Sequence, residues 1–237
     1  LIEGEPAAFA VAGLAAGAFV VVERRAAEPM LPLGLFSARP FSGALAAGVL
    51  LSVALYGQLF LLSLYLQEVR GLSATQTGLA FLAQPIMTAI TGVPAGWLIG
   101  RVGARAPARV GGLLGVAGTL LLITLGSTTP YWLIVAALIC IGAAAGLIVP
   151  SITTAALDGV PADKVGVASS ALNAGRQTGA VLGVGILGGL VSDTDFVSGL
   201  PLAMAVCALS FAGVVAGAFT FGARANRVEV RLARAKI

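Results

Sequence analysis

Three groups of polar residues lie inside otherwise apolar stretches of this sequence, and from these positions it could do chemistry. Ser52, Tyr56, Ser63 and Gln67 fall within about 60° of arc at helical spacing, as do Thr77, Gln84, Thr88 and Thr91. Ser169, Ser170, Asn173, Arg176 and Gln177 share one broad helical face, with Gly175, Gly179 and Gly183 on another. Hydroxyls, carboxamides and one guanidinium can hydrogen-bond a solute and hold a charge against it. If the stretches cross a bilayer, such stripes face a bundle interior or a water-filled cavity, because lipid satisfies no polar group. Each residue also has a plainer use. A hydroxyl bonds back to its own helix, a glutamine bridges two helices, and Arg176, about ten residues into its stretch, snorkels to the boundary.

No reactive constellation accompanies these groups. The sequence has no GxxxxGK[ST] phosphate loop, no HExxH, no GxSxG and no paired carboxylates in an apolar stretch, so neither ATP hydrolysis nor an enzyme is expected. Cys140 and Cys207 lie in apolar stretches without spaced partners, which indicates no disulfide framework, metal site or cofactor. The acidic residues Glu3, Glu5, Glu23, Glu28, Glu68, Asp158, Asp163, Asp193, Asp195 and Glu229 all read as loop or tail positions, and there is no histidine. No buried group suited to carry a proton near neutral pH is therefore expected in this chain.

The elements that must position the polar stripes are set by composition. Hydrophobic residues make up 58% of the 237, charged ones 10%, and mean hydropathy is +1.01. A soluble domain carries charge on about a quarter of its residues, so this chain is read as membrane-embedded. Its net charge of +4 sits in short basic runs between apolar spans, where it sets topology rather than binding nucleic acid.

Seven apolar spans can be drawn, at about 6–22, 41–66, 76–100, 108–126, 131–155, 166–191 and 199–222. Assigning alternate loops to one face gathers Arg24, Arg25, Arg39, Arg101, Arg105, Arg109, Lys164, Arg224, Arg227, Arg231, Arg234 and Lys236 on that face. Only Arg70 lies on the other, and Arg176 falls within a span. The basic face is expected to be cytoplasmic, which places the C-terminus inside. Pro85, after Gln84, is expected to kink the third span by removing a helical hydrogen bond.

Pro29, Pro32 and Pro40 separate a lone first span from six that follow with short connections. The expected organisation is a lone transmembrane helix and linker over 1–40, a six-helix bundle over 41–222, and a basic tail over 223–237 resting on anionic lipid. Glycines four apart, such as Gly142 and Gly146 or Gly213 and Gly217, are expected to pack helices closely; their use as hinges is the alternative. The chain begins at Leu1 with no basic n-region or cleavage site, and reads as a fragment lacking its upstream part.

Three stretches carry a family resemblance over nearly the whole chain. Tyr65 to Pro85, YLQEVRGLSATQTGLAFLAQP, resembles a junction in which a span closes with YLQ before a short outer loop and a GL restart. Gly96 to Arg105, GWLIGRVGAR, resembles the turn G-x-L-x-D-R-x-G-x-R, matched at Gly96, Leu98, Arg101, Gly103 and Arg105, with Gly100 at the aspartate position. Val165 to Gly188 contains N-x-x-R-Q-x-G at Asn173, Arg176, Gln177 and Gly179. In this order they resemble the C-terminal half of a major facilitator superfamily transporter of the fourteen-span drug:proton antiporter type.

The resemblance implies an all-α integral membrane fold: the C-terminal six-helix bundle of a major facilitator, preceded by the second of two extra central helices. It implies a plasma-membrane exporter that exchanges lipophilic, often cationic drugs for protons by alternating access with a missing N-terminal half. Ser52, Tyr56, Ser63, Gln84, Thr88 and Thr91 are then expected to line the cavity, with Asn173, Arg176 and Gln177 a second group. Gly96, Arg101, Gly103 and Arg105 are expected to gate, and Gly100 leaves any aspartate lock to the missing half. The rival expectations are an exporter of a metabolite or of an anion held by Arg176, and a membrane scaffold or truncated chain that transports nothing.

Overall fold

The computed structural model describes residues 33–126, 128–192 and 196–221. The expected first span, Arg24, Arg25 and the basic tail lie outside the described residues. A short 3-10 turn, Leu33–Ser37, leads into α1, Arg39–Leu64, which starts with Pro40 in its first turn, where a missing N–H is harmless. The helix then loosens into a π turn, Tyr65–Val69.

Near the expected kink at Pro85 the helix is interrupted at one residue, Leu82, which keeps a right-handed helical conformation (φ −58°, ψ −26°). The third span divides into α2, Ala74–Phe81, and α3, Ala83–Val102. Pro85 has no N–H to return to Phe81; Leu82 N instead closes a tighter turn onto the Leu79 carbonyl at 3.2 Å. Upstream, Ser73 and Gln76 cap α2 reciprocally, Ser73 Oγ accepting from Gln76 N at 3.2 Å and Gln76 Oε1 accepting from Ser73 N at 2.9 Å. Gly103, at φ 80°, ends α3 in a conformation that a side chain resists.

Four further helices complete the bundle: α4, Arg105–Ile123; α5, Tyr131–Leu157; α6, Val165–Ser192; and α7, Phe196–Gly217. Five described segments are long and apolar enough to cross a membrane: Arg39–Val69, Ala74–Val102, Arg105–Ile123, Tyr131–Leu157 and Phe196–Thr220. The sixth, α6, has ample length at 28 residues, and carries Ser169, Ser170, Asn173, Arg176 and Gln177 in its first half.

Packing makes α1 the hub, lying against α5, α6 and α7; α4 fills the space between α5 and α7, and α3 rests on α5. The core holds Phe41, Leu51, Leu61, Leu62, Tyr65, Ile134, Leu138, Ile141 and Phe211. Between helices in lipid, close approach supplies the attraction that hydrophobic burial supplies in water. Accordingly a Cβ at Gly183 would come within 2.5 Å of the Val53 carbonyl oxygen of α1, and one at Gly142 would strike the Gln84 carbonyl of α3. These glycines are contact surfaces of the bundle. The outer face of α2 and α3 is unpartnered, with Leu79, Leu82, Ile86, Ile90, Val93 and Trp97 exposed along one stripe.

Candidate functional site

The first polar stripe lies on the open side of α1. Val49 and Val53 face α6, and Leu50 and Ala54 face α7 through Gly213 and Cys207. Ser52, Tyr56 and Ser63 fall between the α5 and α6 contacts, where Tyr56 is 46% exposed and Ser63 half-buried. Ser52 is buried. Ser63 and Gln67 bond to each other within the helix, Gln67 Nε2 donating to Ser63 Oγ at 2.9 Å.

The α6 group flanks the same opening. Arg176 is half-buried, and its Cγ would lie 3.2 Å from a Cβ at Gly48, a residue one turn from Ser52 on α1. Ile152 of α5 and Leu172 enclose the same spot. Asn173 and Gln177 are exposed on either side of the arginine, as are Ser169 and Ser170 a turn or two earlier. Thus α1 and α6 bring Ser52, Tyr56, Asn173, Arg176 and Gln177 to one face.

The second stripe is turned into the bundle. Thr88 Oγ1 donates to the Gly142 carbonyl at 3.0 Å and sits 2.9 Å from the Gln84 carbonyl of its own helix. Thr91 Oγ1 reaches the Met87 carbonyl at 2.8 Å and the Ala143 carbonyl at 3.4 Å. Thr77 is buried, with no partner for its Oγ1. Gln84 accepts through Oε1 from Gln58 Nε2 at 3.1 Å. The hydroxyls expected to line a cavity are thus committed to the α3–α5 contact, because α5 there consists of glycine and alanine and leaves its carbonyls within reach.

The expected gating residues divide similarly. Arg105 Nη2 donates to the Phe219 and Phe221 carbonyls at 2.7 and 2.9 Å, and Arg109 stacks 3.7 Å above the Phe219 ring, so the turn grips the end of α7. Arg101 stacks on Trp97 at 3.7 Å, and Gly96 is exposed. Beside the turn, Ile99, Gly103, Ala104, Thr154, Ala155, Leu157 and Asp158 line an open cavity of about 320 Å³.

Two features escaped the sequence. Gln58 is fully buried, and its Oε1 has no partner; it stood off the polar stripe, and only its place in an apolar run could have marked it. At the other end of the bundle, Tyr65 Oη donates to the Gly126 carbonyl at 2.7 Å and Arg70 Nη1 to the Thr129 carbonyl, clasping the α1 end to the α4–α5 loop.

The profile of the Major Facilitator Superfamily matches residues 6–184. The chain belongs to that superfamily. Membership agrees with the five described segments long and apolar enough to cross a membrane, and makes this a multi-pass membrane chain. It is 34% identical over 196 residues to the methylenomycin A resistance protein of Streptomyces coelicolor, covering 79% of this chain and 40% of the relative. It is 35% identical over 174 residues to the multidrug resistance protein Stp of Mycobacterium tuberculosis, covering 73% and 32%. The tetracycline resistance determinant of Streptomyces rimosus is 34% identical over 189 residues, covering 78% and 54%. This major facilitator chain therefore spans about half or less of the length of these relatives. The crystal structure of the peptide transporter POT in complex with sulfate shares its fold, with a TM-score of 0.65 at 22% identity over 84% of this chain and 43% of that one.

Proposed function

We propose that this chain is the C-terminal half of a proton-driven exporter of small lipophilic compounds, with its bundle over 41–222 working against an upstream half by alternating access. The observation that carries the reading is the polar side of α1 and α6 left free by α5 and α7, where Tyr56, Asn173 and Gln177 are exposed, Ser63 and Arg176 half-buried, and Ser52 buried behind them. A solute that leaves water needs such a face within the bilayer. The names of the relatives support drugs and antibiotics as the substrate class. Gln84, Thr88 and Thr91 back this face as positioning residues through α5, and the turn from Gly96 to Arg105 transmits movement of α3 to α4 and α7. Protons would be carried by the upstream half: the sequence has no histidine, and the described carboxylates Glu68, Asp158 and Asp163 sit at helix ends or in loops. The protein would lie in the cell membrane with its C-terminus cytoplasmic, as the basic loops direct.

The test is pH-gradient-driven uptake of a lipophilic dye into inverted vesicles, with the complete polypeptide beside residues 1–237 alone. Uptake by the complete protein only, abolished by a protonophore, is the expected result. A complete protein that inserts and moves none of a broad panel of dyes and antibiotics would refute the reading.

A further inference from the structure

We infer that Arg176 is an anion-binding subsite, which takes a carboxylate or comparably delocalised oxyanion of the transported solute. This deepens the reading above and rests on it. Arg176 is the twelfth residue of α6, ~17 Å from the helix start, and Gly48 lies ~14 Å along α1. The two helices start from the same side, and the arginine stem lies beside Gly48 at nearly its own depth. Gly48 makes the room: a Cβ there would press on Arg176 Cγ, Ile152 Cδ1 and Leu172 Cδ1 at 3.2, 3.4 and 3.4 Å.

Among the described residues Arg176 has no counter-ion. Its Nε is buried and has no hydrogen-bond partner, and among the described residues no ion pair reaches it. The described carboxylates, Glu68, Asp158 and Asp163, lie beyond the helix ends or at them. A buried or half-buried guanidinium draws in an anion because its own desolvation is otherwise uncompensated. Its planar fork matches two oxygens of one group, and Asn173, three residues earlier on the adjoining face and exposed, adds a further donor. Gln177 offers a second carboxamide at the rim. The anion has two candidate sources, a solute or a carboxylate of the upstream half; the exposed carboxamides of Asn173 and Gln177 beside Arg176, which add neutral donors for a small bound group, favour the solute.

The test measures binding to the purified complete polypeptide, with fluorescein as the anionic probe and ethidium as the cationic one, read by fluorescence anisotropy in detergent. Arg176→Gln should weaken fluorescein binding at least tenfold and leave ethidium within twofold, and Arg176→Lys should recover part of the loss, since the charge remains without the fork. Fluorescein binding unchanged in Arg176→Gln, or absent in the wild type while ethidium binds, overturns the subsite. Equal weakening of both probes with a lower melting temperature also overturns it, by assigning the anion to the upstream half. Binding that responds as expected in a protein with no vesicle flux would count against the transport reading and leave the subsite standing.

Discussion

Gln58 and Gln84 join α1 to α3 through a single side-chain bond, Gln58 Nε2 donating to Gln84 Oε1 at 3.1 Å, at a point where Gln58 is wholly buried and its own Oε1 is unpaired. The two helices otherwise have few contacts, since α5 lies between them. Removing either amide strands the other in an apolar setting. Gln58→Ala and Gln84→Ala should each lower stability by about 1–2 kcal/mol. The double variant should lose clearly less than the sum, because the second change removes a group already without its partner. Unfolding in detergent provides the cycle; additive losses would show that the pair is not coupled.

The α3–α5 seam should be intolerant of any side chain at its glycines. A Cβ at Gly146 would collide with Thr91 Oγ1, and one at Gly142 with the Gln84 carbonyl. Gly146→Leu should destabilise the bundle by about 1–3 kcal/mol, the usual range for overpacking. Gly78→Ala, where nothing lies within reach, should be neutral or better. Melting temperatures of the two variants check this, and equal losses would remove the seam from the explanation.

Arg105 should act as a tie before it acts as a gate. Its guanidinium holds two carbonyls at the end of α7, and neutral donors cannot replace that charge-assisted fork. Arg105→Ala should cost about 1.5–3 kcal/mol, with Arg105→Lys restoring only part. Hydrogen exchange at Ala218 to Phe221 should speed up in both, more in the alanine variant; unchanged exchange there would place the residue's role elsewhere.

Topology can be read with cysteines. With Cys140 and Cys207 replaced by alanine, Glu68→Cys should react with an impermeant maleimide in intact cells, and Asp163→Cys only in inverted vesicles. Both native residues are exposed, so access does not limit either reaction. The reverse pattern would invert the orientation drawn from the basic loops.

Most of the fold was legible because the constraints on it are one-dimensional. Among the described residues, apolar runs of membrane length and proline at position 85 act on the chain locally, and they appear as helices and as a one-residue interruption at Leu82. The site was legible only in part. Helical spacing showed that Ser52 shares a face with Tyr56, and Thr88 with Thr91, but a wheel drawn on one helix does not say which neighbour that face meets.

Sequence alone thus determined that this chain spans a membrane, roughly where its described segments lie, and which residues share a side of each helix, because length, hydropathy and backbone chemistry act through neighbours in the chain. Tertiary packing alone decided that the α3 hydroxyls turn onto α5, that Gln58 meets Gln84, and that Gly48 opens the space holding Arg176. The physical reason is that these outcomes depend on how closely two backbones approach. Small residues on both partners set that distance jointly, and no stretch of one helix contains it.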